Sequence, residues 1–355
     1  MDISMRITAL ELKVLPNLVV VTARTDAGIE GHGFAQKGLS VAQAIADTVR
    51  PHVIGEDPFD YEKIWHKMLD ADRWGGLTPI NAYGAVDVAL WDIMGKAAGK
   101  PIYKLLGGYR DRVKAYDTTG PVDDVDRQVE LALAAKEAGF SAYKLHPKAG
   151  YDGDLAQCRA VREAVGPDMV LMSDPVAAYN HQQALRMGRE LERLNYHWFE
   201  EPLMDPDIEG YVELTRRLEI PVIGTEWGQG GVWGVYSVPQ YLIRRAVDIV
   251  RSDVSWKGGI TGLLKTFHLC EAFGFNCEVH TAMMSLMDHA NLHVICSRKN
   301  CEWFEYAGSL TEGIGFGIKQ PIKVDADGCV APTGALGLGV DLDWDQIDPQ
   351  IVAEL

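Results

Sequence analysis

The chain has 355 residues, of which 47% are hydrophobic, so it is long enough for one large domain and a second, smaller unit. Its net charge is −16 without any block rich in lysine and arginine, which makes nucleic acid and anionic membranes poor partners. No apolar stretch reaches the ~20 residues of a membrane span, no signal-peptide pattern is present, and the six cysteines form no C-x-x-C pair. We therefore expect a cytoplasmic protein with reduced thiols.

The first part of the chain predicts an α+β unit that ends near residue 110. Its predicted elements are an alternating strand-forming stretch over 5–23, a turn at 25–28, a return strand at 31–34, helices over 41–53, 61–68 and 82–98, and a glycine loop at 73–76. The segment 99–101, Gly-Lys-Pro, ends the last of these helices.

Eight short apolar runs begin at residue 113, and helical patterns such as 183–193 and 262–273 separate them. The last six runs end in Asp174, Glu200 and Glu226 at intervals of 26 residues, then Asp253 and His280 at intervals of 27, and Glu305 25 residues later. In a (β/α)₈ barrel one strand, one helix and two loops take roughly 25–30 residues, and all C-terminal strand ends share one rim. The interval therefore predicts a barrel that brings these side chains into one site.

Asp174, Glu200 and Glu226 follow three consecutive predicted strands. Three carboxylates within ~4 Å would repel by about 4 kcal/mol per pair at an effective dielectric constant of about 20, which is comparable with the stability of a domain. We therefore expect a cation among them, and all-oxygen ligands favour Mg²⁺, with Mn²⁺ as a substitute. The alternative, in which each acid caps the next helix, explains one position but not three at equal spacing.

Lys144 and His146 stand two residues apart on the second predicted strand, so both would point into the barrel mouth. Lysine suits the binding of an anion, and histidine suits proton transfer near neutral pH. Taken alone, the pair is more often a solvated lysine and a loop histidine.

Asp253 and His280 end the neighbouring strands six and seven. An aspartate in that position can accept the N–H of the histidine and raise its basicity. Glu305 ends strand eight, which lies opposite strand four in a closed ring, and we expect it to be protonated and to donate to a developing oxyanion. The alternatives are a structural aspartate with a core histidine, and a glutamate that faces solvent.

Beyond residue 310 the apolar pattern ends, although residues 322–324 and the turn at 325–328 predict a late hairpin. Because this segment has no core of its own, we expect it to pack back on the first domain. The predicted domains are therefore an α+β unit over 1–110, a barrel with the catalytic site over 111–310, and a C-terminal segment over 311–355. The predicted fold class is α/β, with a (β/α)₈ barrel of the TIM type.

The chain resembles the enolase superfamily, and within it the mandelate racemase subgroup, over nearly its whole length. The segments that carry the resemblance are WDIMGK at 91–96, LLGG at 105–108, WFEEP at 198–202, GTE at 224–226 and GGITG at 258–262, together with Asp253 and His280. The resemblance implies a capping domain over a modified barrel, a His280–Asp253 dyad, and a homo-oligomer. It also implies one Mg²⁺ per subunit on Asp174, Glu200 and Glu226, with Glu200 rather than Glu201 as the ligand.

Two positions depart from that subgroup's usual pattern. His146 stands where a second lysine is common, and Val176 stands where an asparagine is common. These departures affect the identity of the second base and of a secondary contact near Asp174.

The resemblance implies removal of the proton α to a carboxylate, and three functions remain open. The first is a Mg²⁺-dependent dehydratase of a sugar acid, an aldonate or an aldarate, in which His146 and His280 are the candidate acid and base, either with one role each or with one histidine in both roles. The second is a racemase, epimerase or cycloisomerase of a 2-hydroxy acid by 1,1-proton transfer, and the third is a non-catalytic barrel that binds a metabolite. Loops that carry Asn17, Arg73 and Trp74 would shape the specificity for this small carboxylate.

Overall fold

An antiparallel sheet opens the chain in the computed structural model, which describes residues 5–75, 78–227, 234–281, 285–308 and 315–355. Its strands are β1 (Ile7–Val14), β2 (Leu18–Thr25), β3 (Glu30–Gln36) and β13 (Ala353–Glu354), in the order β13-β1-β2-β3. Lys13 of β1 pairs with Glu354 of β13, so residues from the far end of the chain extend the first sheet.

The helices that follow are α1 (Gly38–Ala44), α2 (Arg50–Val53), α3 (Tyr61–Gly75), α4 (Ile80–Ala97) and α5 (Ile102–Leu105). A π-helical turn (Ile45–Val49) divides the helix predicted over 41–53, because Pro51 has no N–H to continue the ladder. The glycine loop predicted at 73–76 is wrong for residues 73–75, which are the last residues of α3, while Gly76 lies outside the described residues.

Helix α4 lies directly on strand β3, and the glycines of β3 make that possible. A Cβ atom at Gly31 would stand 2.0 Å from the carbonyl oxygen of Ala89, and one at Gly33 would stand 1.9 Å from that of Ala85. Only residues without a side chain allow this approach. The apolar residues of α4 are almost all buried, as a helix with neighbours on every side requires.

Eight parallel strands form a closed barrel, because β11 pairs with β4 as well as with β10. The barrel strands are β4 (Val113–Thr118), β5 (Ala142–Leu145), β6 (Val170–Ser173), β7 (Trp198–Glu200), β8 (Val222–Gly224), β9 (Ile249–Ser252), β10 (Asn276–Val279) and β11 (Trp303–Tyr306). This architecture confirms the barrel and the fold class that the 26-residue interval predicts.

The connecting helices are α6 (Val125–Glu137), α7 (Tyr151–Val165), α8 (His181–Arg193), α9 (Ile208–Arg217), α10 (Gly234–Arg244), α11 (Gly259–Phe273) and α12 (Leu286–Ser297), and α13 (Trp344–Ile347) follows the barrel. Local signals set their starts: the Asn180 side chain accepts from the backbone of Gln183, whose side chain accepts in return from the Asn180 N–H. Asp124 likewise caps α6 by accepting from the Arg127 N–H at 2.7 Å.

A separate group of buried apolar side chains fills the barrel interior. Its members are Tyr116, Ala142, Met172, Trp198, Ile223 and Trp303, which come from six different strands. Since this plug occupies the inside of the ring, polar side chains that point inward nearer the C-terminal strand ends form the floor of the mouth above it.

The late hairpin predicted around 325–328 is wrong in one respect. The turn forms, because Asp325 Oδ1 accepts from the backbone N–H groups of Asp327 and Cys329. Residues 322–324, however, are not a strand, and β12 (Cys329–Val330) instead pairs antiparallel with β4 of the barrel. The start of β4, at Val113 and Lys114, offers β12 backbone partners that an isolated two-residue hairpin would lack.

All six cysteines are buried free thiols. Within the described ranges, no helix combines the length and the apolar character needed to cross a bilayer.

Asp87 of α4 connects the first domain to the barrel by hydrogen bonds, and its contribution to stability is expected to depend on pH. Its carboxylate accepts from the Thr261 hydroxyl at 2.6 Å and from the Thr261 N–H at 3.0 Å. Burial raises the pKa of Asp87 to about 7, despite these hydrogen bonds. Because the folded chain holds this proton more tightly than the unfolded chain, the contribution of Asp87 to stability is complete below about pH 4 and is lost as the pH rises through about 7.

We expect Asp87→Asn to flatten the fall in the free energy of unfolding between about pH 4 and about pH 8, because the amide does not ionise. Urea unfolding at several pH values measures that slope. Asp70→Asn, at an exposed position of α3, is the matched control and should keep the wild-type slope. Identical slopes in both variants would contradict a buried titration at Asp87.

Candidate active site

Three acidic residues converge at the C-terminal end of the barrel. Asp174 follows β6, Glu200 is the last residue of β7, and Glu226 stands two residues after β8. All three are buried. Lys144 Nζ lies 3.5 Å from Asp174 Oδ2 and 3.0 Å from Glu200 Oε1, while Arg251 Nε lies 2.8 Å from Glu200 Oε1 and 4.0 Å from Glu226 Oε2. The acids therefore meet around shared cations rather than pointing apart.

Four buried charges form a closed arrangement at the floor of the mouth, which we call the charge square: Lys144, Glu200, Arg251 and Glu305. Lys144 Nζ lies 3.0 Å from Glu200 Oε1 and 2.7 Å from Glu305 Oε1. Arg251 lies 2.8 Å from Glu200 Oε1 and 2.6 Å from Glu305 Oε2, so each cation contacts both anions. The four residues come from the second, fourth, sixth and eighth barrel strands, which places like charges on opposite sides of the ring.

Arg251 was not predicted from the sequence, because residues 249–252 are the sixth of the eight predicted apolar runs and Arg251 was counted as part of that run. Its guanidinium is fully buried and also donates to the hydroxyl of Tyr116 at 3.0 Å. A charged residue inside a buried strand is itself a signal, since such a group is almost always paired.

Arg251 also overturns the expectation that Glu305 is protonated. Burial alone would raise the pKa of Glu305, but Arg251, Lys144 and His280 together hold it well below its usual range. The Thr281 N–H donates to the same carboxylate at 2.8 Å, which further favours the ionised form. Glu305 is therefore an acceptor in this structure and cannot donate a hydrogen bond to an oxyanion.

His280 and Asp253 form a hydrogen-bonded dyad. His280 Nδ1 lies 2.6 Å from Asp253 Oδ2, and the other oxygen of Asp253 accepts from the Trp256 N–H, also at 2.6 Å. His280 Nε2 is left to face Glu226 Oε1 at 3.5 Å. Burial alone would lower the pKa of His280, but Glu226, Asp253 and Glu305 raise it to about 9.

His146 reaches the same cavity from the second barrel strand, at the first position after β5. Its Nε2 lies 3.1 Å from Asp174 Oδ2, and its Nδ1 lies 3.3 Å from the hydroxyl of Thr118. Burial alone would raise the pKa of Asp174, but His146 and Lys144 hold it well below its usual range. The cavity thus has an imidazole on two separate flanks.

Lys257, which is not among the site residues predicted from the sequence, supports the loop that carries Glu226. Its buried ammonium donates to the carbonyl of Thr225 at 2.8 Å and to that of Glu226 at 2.9 Å. Thr225 has φ +80°, an uncommon conformation for a β-branched residue, so this loop is held in a strained form. Burial lowers the pKa of Lys257.

A cavity of about 940 Å³ lies above these groups. It is lined by Gln36, Thr118, Thr119, Gly120, Pro121, His146, Asp174, Val176, Glu201, Glu226, Trp227, Trp256, His280, Thr281, Glu305 and Ala307. Among the described lining residues, Gln36 is the contribution of the first domain, and the ring centroids of the stacked indoles of Trp227 and Trp256 lie 4.1 Å apart. Of the predicted specificity residues, Asn17 and Arg73 are exposed and not among the described lining residues, while the side chain of Trp74 lies outside the described residues.

The predicted ligands fit a hard divalent cation by their chemistry. All of them are carboxylates. Burial raises the pKa of Glu226 to about 7; the nearby charges of Glu200 and Asp174 also raise this pKa, whereas His280 and Arg251 lower it. A cation would relieve this excess of negative charge. Among the described residues, no group of three or more acidic, histidine or cysteine side chains is arranged to hold a metal ion in this structure. Glu200 Oε1 faces Lys144 and Arg251, the two cations of the charge square.

Two family models match the chain in succession. Residues 6–107 match the "Mandelate racemase / muconate lactonizing enzyme, N-terminal domain", and residues 127–346 match the "Enolase C-terminal domain-like" family. Together they span the first domain and the barrel that carries the cavity.

Individual proteins resemble the chain at moderate identity. Arabinonate dehydratase of Saccharolobus solfataricus is 33% identical, covering 84% of this chain and 83% of its own length. L-talarate/galactarate dehydratase of Salmonella typhimurium is also 33% identical, covering 81% and 72%. The crystal structure of D-glucarate dehydratase from Agrobacterium tumefaciens, complexed with magnesium, superposes with a TM-score of 0.90 at 34% identity, covering 99% of this chain and all of that one (100%).

Proposed function

Because the chain belongs to the mandelate racemase/muconate lactonizing enzyme group of the enolase superfamily, we propose that it is a Mg²⁺-dependent dehydratase of a sugar acid. The reaction removes water across Cα and Cβ of an aldonate or aldarate and gives a 2-keto-3-deoxy acid. One observation carries the proposal: His146 and the His280–Asp253 dyad flank a single cavity above converging carboxylates.

The two histidines divide the proton transfers. His146 takes the α-proton, and the electron pair of that C–H bond enters the carboxylate as an enediolate. His280, which Asp253 supports in its charged form, gives a proton to the β-hydroxyl, and the C–O bond breaks to release water. The resulting enol becomes the 2-keto acid, and solvent returns the proton from His146 to His280.

Lys144 supplies positive charge beneath the reacting carboxylate, although the charge square as a whole pairs two cations with two anions. Glu200 and Glu305, against burial and the nearby Arg251, hold the pKa of Lys144 well above its usual range, so this ammonium stays protonated through the reaction. We propose that Lys144 stabilises the negative charge that develops on the enediolate, and that Glu305 orients Lys144.

Asp174, Glu200 and Glu226 would hold the Mg²⁺ ion. Bound there, the ion supplies Lewis-acid stabilisation to a substrate carboxylate. Lys144 and Arg251 both lie against Glu200 Oε1, whereas Glu200 Oε2 accepts from the indole N–H of Trp198 at 3.0 Å, so Oε2 is the oxygen of Glu200 without a contact to these two cations.

Addition of Mg²⁺ to chelator-treated protein should raise its thermal stability, because an ion that binds only the folded state stabilises by about 2.7 kcal/mol at a concentration of about 100 Kd. Differential scanning calorimetry with and without Mg²⁺ measures this rise. Glu226→Gln should lose most of this rise in thermal stability. Glu219→Gln, at an exposed position before the start of β8 and therefore at the opposite end of the barrel from the mouth, should keep the rise. An equal response in the two variants would remove Glu226 from the ligand set.

The reaction itself is tested with Mg²⁺ and a panel of aldonic and aldaric acids. We expect one or more acids to yield a 2-keto-3-deoxy acid, detected as its semicarbazone or by NMR. Chelation should abolish the product. If no acid in a broad panel gives a keto acid, dehydration is not the activity of this site.

An epimerase or racemase is the second candidate, and the separate positions of His146 and His280 favour it. A base on each flank can remove a proton from one face of Cα and return one to the other face. In D₂O such an enzyme would incorporate deuterium at Cα with inversion and without loss of water. The product of the panel experiment therefore separates the two reactions.

A further inference from the structure

We infer that the substrate carries one carboxylate only and that its distal end is neutral, so that the enzyme acts on an aldonate rather than an aldarate. This inference rests on the proposed function. The named relatives leave the point open, because arabinonate has one carboxylate whereas galactarate and glucarate have two.

Positive charge around the cavity is confined to its reactive end. Among its described lining residues there is neither lysine nor arginine, and His146 and His280 are the only groups there that can carry positive charge. Three further cations are buried and are not part of the described lining. Lys144 and Arg251 contact Glu200 and Glu305, and Lys257 donates to backbone carbonyls. The residues outside the described ranges include no lysine or arginine at all, so they cannot supply the missing cation.

The rest of the lining carries negative or neutral groups. Four carboxylate side chains, those of Asp174, Glu201, Glu226 and Glu305, are among the described lining residues. A second substrate carboxylate would therefore meet like charges without a partner, and a carboxylate that loses water in this way pays a large desolvation penalty. The net charge of −16 adds to this repulsion.

The neutral groups of the lining suit a polyol chain instead. Gln36, Thr118 and Thr119 place amide and hydroxyl groups on the cavity wall, and the Thr118 hydroxyl also lies 3.3 Å from His146 Nδ1. The stacked indoles of Trp227 and Trp256 offer an apolar wall for the C–H faces of a sugar acid, and Trp227 is 52% exposed.

The neighbouring cavity contains the cation that a longer diacid could reach. This second cavity, of about 850 Å³, shares Pro121 and Val176 with the first, and Lys148 belongs to its lining. Val176 forms the boundary in a left-handed conformation, with φ +53°, and its side chain is 58% exposed between the two spaces. Lys148 thus belongs to the lining of the second cavity only, whereas the apolar residues Pro121 and Val176 line both cavities.

The test compares monoacids with diacids of the same configuration, such as galactonate with galactarate and gluconate with glucarate, in the presence of Mg²⁺. Calorimetric affinity and keto-acid formation are both measured, so that binding decides this inference and product decides the proposed function. We expect at least one monoacid to bind about tenfold or more tightly than its diacid. A panel in which no monoacid binds more tightly than its partner overturns the inference, whether or not keto acid forms.

Two variants sharpen the result. Val176→Lys adds a cation at the boundary and should improve the affinity for diacids by about 10- to 100-fold, while Val176→Met, of similar length but uncharged, should not. The backbone N–H of residue 176 that donates to Asp174 is kept in both. Lys148→Met should leave the preference of the wild type for monoacids unchanged. If the wild type instead binds a diacid tightly, and Lys148→Met or Arg73→Met loses that binding, the replaced residue holds the distal carboxylate and the inference is overturned.

Discussion

Replacement of His280 by glutamine should lower keto-acid formation by about 10²- to 10⁴-fold, the usual contribution of a general acid or base, while the fold persists. Glutamine keeps an amide N–H that can donate to Asp253, which His280 contacts at 2.6 Å, so the buried carboxylate retains a partner. It cannot give a proton to the departing hydroxyl. Steady-state product formation measures the loss, and circular dichroism checks the fold.

The division of labour between the histidines makes this prediction more specific. If His146 removes the α-proton, the His280→Gln variant should still exchange that proton for deuterium in D₂O, although it no longer eliminates water. His146→Gln should lose exchange and elimination together. Full dehydration by His280→Gln would exclude the dyad as the acid, and loss of exchange in that variant alone would assign the base to His280.

Replacement of Arg251 by methionine should lower the free energy of unfolding by about 3–5 kcal/mol, the typical cost of breaking a fully buried ion pair from one side. Arg251 is fully buried and lies 2.8 Å from Glu200 Oε1 and 2.6 Å from Glu305 Oε2. Its removal leaves Lys144 as the one remaining cation of the charge square for two carboxylates. Urea unfolding followed by tryptophan fluorescence measures the change.

Two further variants test the cause of that loss. Arg251→Lys keeps the positive charge but lacks the branched guanidinium that reaches both acids. Its free energy of unfolding should therefore decrease by less than that of Arg251→Met. Adding Glu305→Gln to Arg251→Met removes one of the uncompensated charges and should recover part of the stability. If the double variant is no more stable than Arg251→Met alone, the effect comes from packing and not from charge.

The barrel could be predicted from the sequence because its repeat is local. Each strand, helix and loop obeys its own periodicity, and the intervals between Asp174, Glu200 and Glu226 follow from the length of that unit. The dyad could also be predicted, since Asp253 and His280 end adjacent strands. Strand neighbours depend only on order along the chain, which the sequence contains.

The charge square could not be predicted in full, because it depends on contacts across the ring. Parity shows that Lys144 points inward, but not that Arg251, from four strands away, shares its two acidic partners. The ionisation of Glu305 follows from those partners, so the expectation of a protonated acid failed with them. A charged residue treated as part of an apolar run was the origin of both errors.

The lining of the cavity was the least predictable part. Loops of the first domain were expected to contribute Asn17 and Arg73, yet Gln36 at the end of β3 is its contribution among the described lining residues. The close packing of β3 on α4, which Gly31 and Gly33 permit, determines where that strand ends relative to the barrel. The position of a strand end relative to the barrel depends on packing between the domains, and no periodic pattern in the sequence indicates it.

The charge square also has a consequence for how protons travel. Neighbouring charges hold the pKa of Glu305 far below neutrality and those of Lys144 and Arg251 far above it, so none of the three can pick up or release a proton under ordinary conditions. These three side chains therefore keep fixed charges, and none of them passes protons downward from the cavity. In the proposed mechanism the protons move instead among His146, His280, the substrate and water at the open top of the barrel.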